Sequence, residues 1–332
     1  MKVGYISQTT WKKNIAKMLR YDRPESLLMP SQEEMCSAFS MNGKESVVTS
    51  ANVSGLSSNT GVYAVLRAVN DLACKGAKPL GIMVHIMLPI KGKESFHAAM
   101  MQQIEASCQT LGVALTQANA EVTPAVKIPM VNVTAIGEVE KASLMQSAKA
   151  KPGQDIVLLG TVGLEGALRI LEEREKELSA RFVPAFLQQT RRLSGQLYAL
   201  PWIQLANQTG KVSAMQQIRD GGILAALWGL LEATGLGMEI EMSKISVQQE
   251  TIEICEFYRL NPYQMTSVGS VLMITDDADE IIDILEGAGA RASKLGVTTD
   301  TPARVILGQS EKRYLDRPGP DELIVWREQS LQ

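Results

Sequence analysis

Histidine, cysteine and aromatic residues are scarce in this chain: two His, four Cys, and 5% Phe, Trp and Tyr in 332 residues. Cys36, Cys74, Cys108 and Cys255 lie far apart and form no CxxC pair. That excludes a disulfide framework or a zinc knuckle and reads as reduced thiols in a cytoplasmic protein. His85 lies in an apolar run and His97 in a helical one, neither near a cysteine or carboxylate cluster, so a metal site on them is not expected. The expectation is a buried, hydrogen-bonded His85 and a surface His97. Charge of one sign is also missing: 33 basic against 36 acidic residues leave a net charge of −3, with no basic field for nucleic acid. Long apolar runs are absent too. The longest uncharged stretch, Ser46 to Leu66, carries nine Ser, Thr or Asn residues, and GILAALWGLL at 222–231 is half the length of a span. MKVGYISQTTWKK lacks a signal-peptide core. The expectation is a soluble, cytoplasmic protein with no membrane and no nucleic-acid partner.

What is present is ordinary globular material, 45% hydrophobic and 21% charged, in a length that suits two domains. TTWKKNIAKML at 9–19 puts Trp11, Ile15, Met18 and Leu19 on one helical face with Thr9 or Thr10 as N-cap. A β-branched strand follows at 46–53, a helix at 61–77 stopped by Gly76, a strand bounded by Pro79 and Pro89, a helix at 95–112, and strands at 113–122 and 129–139. KASLMQSAKAKPGQD at 141–155 is polar and turn-rich and reads as a joint, giving domains 1–145 and 146–332. The second half opens with a strand at 155–163, then helices at 166–182 and 221–235, a strand at 239–247, a helix at 248–260, a strand at 267–275, and further elements from 278, 303 and 322. EEREKE at 172–177 reads as a solvated helix face, and Met83, Met100 and Met101 as core filling.

Phosphate-binding signals are weak. Two GKES tetrapeptides, at 43–46 and 92–95, lack the leading glycine of a P-loop and read as turns. GTVGLEG at 160–166 follows a strand and precedes a helix, where an anion loop belongs; Gly160, Gly163 and Gly166 equally suit a tight, closely packed turn.

Taken as a series, the segments resemble one family. NDLACKGAKP at 70–79 is similar to the Asn-Asp helix of the aminoimidazole ribonucleotide (AIR) synthase-related superfamily, and GQDIVLLGTVGLEG at 153–166 to the start of its second domain. The stretch from Arg219 to Val247 resembles the helix and strand after that family's Gly-Gly turn. Residues 250–274 and 311–326 look closest to its hydrogenase maturation branch. That branch, the carbamoyl dehydratase or HypE-like one, converts a carbamoylated C-terminal cysteine to a thiocyanate with ATP. The resemblance implies a two-domain α/β (α+β) fold, an N-terminal sheet domain that builds a dimer barrel, a C-terminal α/β domain, and an ancestral ATP and Mg²⁺ site supplied by separated aspartates.

The sequence departs from that pattern at the aspartates themselves. The family's Thr-Thr-Asp matches Thr49-Ser50-Ala51, its Gly-Asp-Thr matches Gln117-Ala118-Asn119, and its Asp-x-Thr-Arg-Gly-Gly matches Gln217 to Gly222. Its Asn-Glu-Gly is Ser267-Val268-Gly269, its Gly-Asp-His-Gly is Gly163-Leu164-Glu165-Gly166, and its N-terminal glycine loop falls on Ser7-Gln8-Thr9-Thr10. The terminal Pro-Arg-x-Cys has no counterpart, so modified-cysteine chemistry is not expected. Asp71 remains, with Glu34 a loose match to the family's first acidic segment; these two are the metal candidates, and Asp71 the catalytic one. One carboxylate does not hold Mg²⁺ with a triphosphate, so Asp71 reads first as a cap or salt bridge within its helix. Asn70, Asp71, Gly160, Gly163, Gly166, Asp220, Gly221 and Gly222 are the candidate ligand contacts, for ATP or another anionic ligand. The leading expectation is a degenerate, non-catalytic ligand-binding or regulatory homodimer, with a protein partner open and Mg²⁺ doubtful. The alternative is an ATP-dependent maturation enzyme or related phosphotransferase in which Asp71, Glu34, Glu121, Glu165 and Asp220 rebuild the site.

Overall fold

The computed structural model describes residues 3–19, 23–28, 31–41, 43–308 and 311–331. The chain forms two mixed sheets with helices packed on and between them. In the first sheet the strands are β1 (Cys36–Met41), β2 (Lys44–Ser54), β3 (Lys78–Leu88), β4 (Ala114–Val122) and β5 (Met130–Val139), in the order β1-β2-β5-β3-β4. All neighbours are antiparallel except β3 and β4. The second sheet has seven strands: β6 (Asp155–Leu159), β7 (Val212–Gln217), β8 (Gly237–Glu241), β9 (Val271–Thr275), β10 (Ala292–Thr299), β11 (Arg304–Leu307) and β12 (Lys312–Tyr314), ordered β12-β11-β8-β10-β6-β9-β7.

The helices are α1 (Gln8–Asn14), α2 (Thr60–Cys74), α3 (Glu94–Leu111), α4 (Leu164–Glu173), α5 (Glu175–Arg181), α6 (Pro184–Arg192), α7 (Leu200–Gln208), α8 (Gly222–Thr234), α9 (Gln249–Tyr258), α10 (Ala278–Gly287) and α11 (Glu322–Leu331). α2 is central. Leu66, Val69 and Leu72 are buried in one core that runs from Val47 and Val133 of the first sheet to Ile203 of α7 and Met273 of β9. Its polar residues Arg67, Asn70 and Asp71 fall at i, i+3 and i+4, so they share one face. They bond there to Gln217 at the end of β7, to Arg219 and Asp220 just after it, and to Glu165 on α4.

Several local expectations need correction. The first helix stops at Asn14, capped by Ser7 rather than Thr9 or Thr10, and a 3₁₀ turn covers Ala16–Met18. It buries no residue, and Met18 is exposed. The helix read across 166–182 breaks at Arg174 into α4 and α5. Glu172 and Glu173 then turn inward, onto Asn59, Tyr63 and Arg327. Met100 is fully buried as expected, but Met83 is 43% exposed. It shares the open outer face of the first sheet with His85, whose side chain is 44% exposed and 3.7 Å from Glu121. A strand with helices on one side only leaves alternate side chains outside.

Candidate functional site: a cleft filled by paired charges

Between α2 and the second sheet lies a buried network of guanidinium and carboxylate groups. The Arg67 guanidinium bonds Asp220 through both terminal nitrogens, at 2.9 and 3.2 Å, and approaches Glu165 at 3.5 Å and Thr266 Oγ1 at 3.0 Å. Glu165 has no exposed surface. It also accepts from Arg169 at 2.9 Å, from the Val268 N–H at 3.0 Å, and from Thr266. Burial works against the Arg67 charge, but Asp220 and Glu165 outweigh it and hold its pKa above the ordinary value. Asp220 is held below the ordinary range, Arg67 and Arg219 overcoming its burial.

Asp71 makes its salt bridge outside its own helix. Arg219 donates to Asp71 Oδ2 at 3.0 Å, and Gln217 Nε2 to Oδ1 at 2.7 Å and to the Arg67 carbonyl at 2.9 Å. Asn70 Nδ2 donates to Gln217 Oε1 at 3.1 Å. Burial raises the Asp71 pKa despite Arg219. The other metal candidate, Glu34, is paired with the buried ammonium of Lys75. Asp71, Glu34, Lys75, Gln217, Cys36 and Cys74 line a recess of about 20 Å³, room for roughly one water.

The five carboxylates proposed to rebuild a metal site do not gather. Asp71 is held by Arg219, Glu34 by Lys75, and Glu165 and Asp220 by Arg67, while Glu121 stands on β4 beside His85. Among the described residues, no three Cys, His, Asp or Glu side chains are placed to hold a metal ion.

The candidate glycines are all engaged through their N–H groups. Gly160 donates to the Arg291 carbonyl at 2.8 Å, Gly163 to Ser267 Oγ at 2.6 Å, Gly166 to the Thr266 carbonyl at 3.3 Å, and Gly222 to the Arg219 carbonyl at 3.0 Å. Gly221 donates to Asp321 Oδ2 at 2.8 Å. Steric need accounts for two of them directly: a methyl on Gly166 would overlap Met265, and one on Gly222, at φ 66°, would overlap the Tyr263 carbonyl. Asp321 is 2% exposed, and burial followed by the nearby Asp220 pushes its carboxyl up to about 7. All four cysteines are buried. Burial pushes Cys36 and Cys255 up to about 12 and Cys108 to about 11.

Sequence reasoning missed Arg67, Arg169, Asp321 and Arg327. Only Arg67 left a signal, as the lone cation of its helix, three and four residues before Asn70 and Asp71.

Among the described residues, no helix is long and apolar enough to cross a membrane. A carbamoyl dehydratase HypE of Cupriavidus necator is 27% identical over 71% of this chain and 66% of its own length. A hydrogenase expression/formation protein of Methanocaldococcus jannaschii is 27% identical over 79% of this chain and 77% of its own. A HypE–HypF complex structure superposes with TM-score 0.70 at 19% identity, covering 85% of this chain and 93% of that one. AaThiL bound to AMPPCP and TMP reaches 0.70 at 14% identity, over 94% and 99%. Models of the AIR synthase-related protein N-terminal and C-terminal domains match residues 29–139 and 151–308, and the chain belongs to the AIR synthase-related family.

Proposed function

We propose that this hydrogenase-maturation-like member of the family is a non-catalytic, dimeric ligand-binding or regulatory protein whose ancestral nucleotide cleft is filled by its own side chains. The observation that carries the reading is the Arg219 guanidinium 3.0 Å from Asp71, a fixed cation on the one retained aspartate. Lys75 holds Glu34 in the same way. A divalent ion needs several oxygen ligands with charge to spare, and here both candidate carboxylates are already neutralised. ATP with Mg²⁺ therefore does not fit these residues. The alternative, an ATP-dependent maturation enzyme or phosphotransferase, requires carboxylates of which Asp71, Glu34, Glu165 and Asp220 are instead committed to Arg219, Lys75 and Arg67.

Dimerisation is part of the proposal. Phe39, Met41, Leu80, Met83 and Ile136 stand 41–61% exposed on the outer face of the first sheet, a patch that favours pairing over contact with water. The HypE–HypF complex among the similar structures supports a protein partner. The test is steady-state phosphate release from ATP with Mg²⁺. Phosphoryl transfer rests on positioned charge, and losing one such group costs ~10²–10³ in rate, so release at background level is expected. Sustained hydrolysis that vanishes in Asp71→Ala would restore the enzyme reading.

A further inference from the structure

The strand registers of the first sheet set four polar residues in one row across its outer face. Asn52 on β2 stands opposite Asn132 on β5, Asn132 opposite His85 on β3, and His85 opposite Asn119 on β4. Glu121, two residues further along β4, shares that face because side chains alternate along a strand. Its Oε1 lies 3.7 Å from His85 Nε2. Of the five carboxylates weighed for a metal, Glu121 alone has no lysine or arginine partner among the described residues.

The far side of the imidazole is also provided for. Asn132 Nδ2 donates to Asn52 Oδ1 at 2.7 Å and to Ser50 Oγ at 3.0 Å, both on β2. Its carbonyl oxygen is thereby turned toward β3, where His85 stands opposite. With a metal ion on Nε2 the imidazole N–H is at Nδ1, and the Asn132 carbonyl is the acceptor this row offers it, the usual way a ligating histidine is held. An imidazole beside an uncompensated carboxylate suits a zinc-class ion rather than Mg²⁺ or Ca²⁺.

One copy falls short of a site, since zinc takes four ligands and His85 and Glu121 are two. The second copy of the dimer proposed above makes up the number. β3 adjoins β5, the middle strand of the five, so the pair lies near the centre of the face to be covered. Across a two-fold axis the same residues of both copies face one another. Sheets stacked face to face lie about 10 Å apart, a gap that two imidazoles and two carboxylates can close onto one ion at bond lengths of about 2.0–2.2 Å.

We propose that His85 and Glu121 of two copies together form one zinc-class site between the paired sheets, with Asn132 as the positioning residue for each imidazole. This inference rests on the dimer reading.

The test is zinc titration of the chelator-stripped chain. Elemental analysis after gel filtration should find one zinc for every two chains, and light scattering should show micromolar Zn²⁺ lowering the dimer dissociation constant at least tenfold. His85→Ala and Glu121→Ala, both at half-exposed side chains, should each abolish the two effects without loss of fold. Asn132→Ala should cost ~10–100-fold in zinc affinity. Co²⁺ in place of Zn²⁺ should give the visible absorption of tetrahedral coordination in the unaltered protein and not in His85→Ala. One zinc per chain, equal binding by His85→Ala, or a dimer that takes up no zinc overturns the shared site. A chain that stays monomeric at every zinc concentration defeats the dimer reading itself, so the two failures are distinguishable.

Discussion

Removing Arg219 should cost the fold far more than removing a surface arginine. Arg219 is 7% exposed and Asp71 3%. Arg219→Ala leaves Asp71 with the Gln217 amide at 2.7 Å as its remaining side-chain hydrogen bond among the described residues. Stranding one partner of a buried ion pair costs about 3–5 kcal/mol, whereas replacing both by apolar groups is often neutral. Chemical denaturation should therefore show a loss of that order for Arg219→Ala. The doubly apolar Asp71→Leu/Arg219→Met protein should recover most of it, a coupling well above 1 kcal/mol. The pH dependence has a fixed sign. Burial already raises the Asp71 pKa, and losing the guanidinium raises it further. The folded variant then takes up a proton that the unfolded chain releases above its ordinary pKa near 4. The Arg219→Ala penalty should be smaller at pH 5 than at pH 8. A neutral or stabilising Arg219→Ala, or a penalty independent of pH, would refute the claim that this cation serves Asp71.

Asp321, with its carboxyl pushed up to about 7, should make the protein lose stability as pH rises from about 4 through 7, because the folded state holds a proton that the unfolded state gives up. Melting curves of the unaltered protein and Asp321→Asn at pH 6 and 8 should show the larger fall in the former. A thiol-disulfide reagent should modify none of the four cysteines in native protein on the minute scale and all four in denaturant, since burial raises each thiol pKa. On the outer sheet face, where Ile136 is 42% exposed, Ile136→Lys should shift light scattering from dimer to monomer at micromolar concentration, with little change in helix or strand content.

The hydrophobic pattern made α2, α3 and α8 readable because apolar periodicity and a glycine at the end act locally: Gly112 and Gly235 both take the left-handed conformation at helix ends. The first helix is shorter than its apolar stripe suggests because, among the described residues, nothing buries that stripe, a tertiary matter that periodicity does not report. The family resemblance pointed to Asp71 and to the Gln217–Gly222 turn, and so to the centre of the cleft. It could not supply the pairing. The partner of Asp71 is 148 residues away and that of Arg67 is 153 away, and an arginine bound for such a partner looks in sequence like any other. His85 and Met83 were read inward because β3 is apolar on both sides, the mark of a strand whose outer face expects further cover.

The single core through α2 bears on how the molecule can move. Because Leu66, Val69 and Leu72 are packed with residues of both sheets, parting the two halves would strip water-free surface from each, at roughly 1.5–3 kcal/mol for every large aliphatic side chain laid bare. Jaw-like swinging of one half against the other is then a near-unfolding event rather than a breathing mode. Heat should melt the chain in one calorimetric transition, and neither half expressed alone should hold its shape. Entry to the cleft falls instead to its periphery, where short segments can peel back without cracking the shared interior.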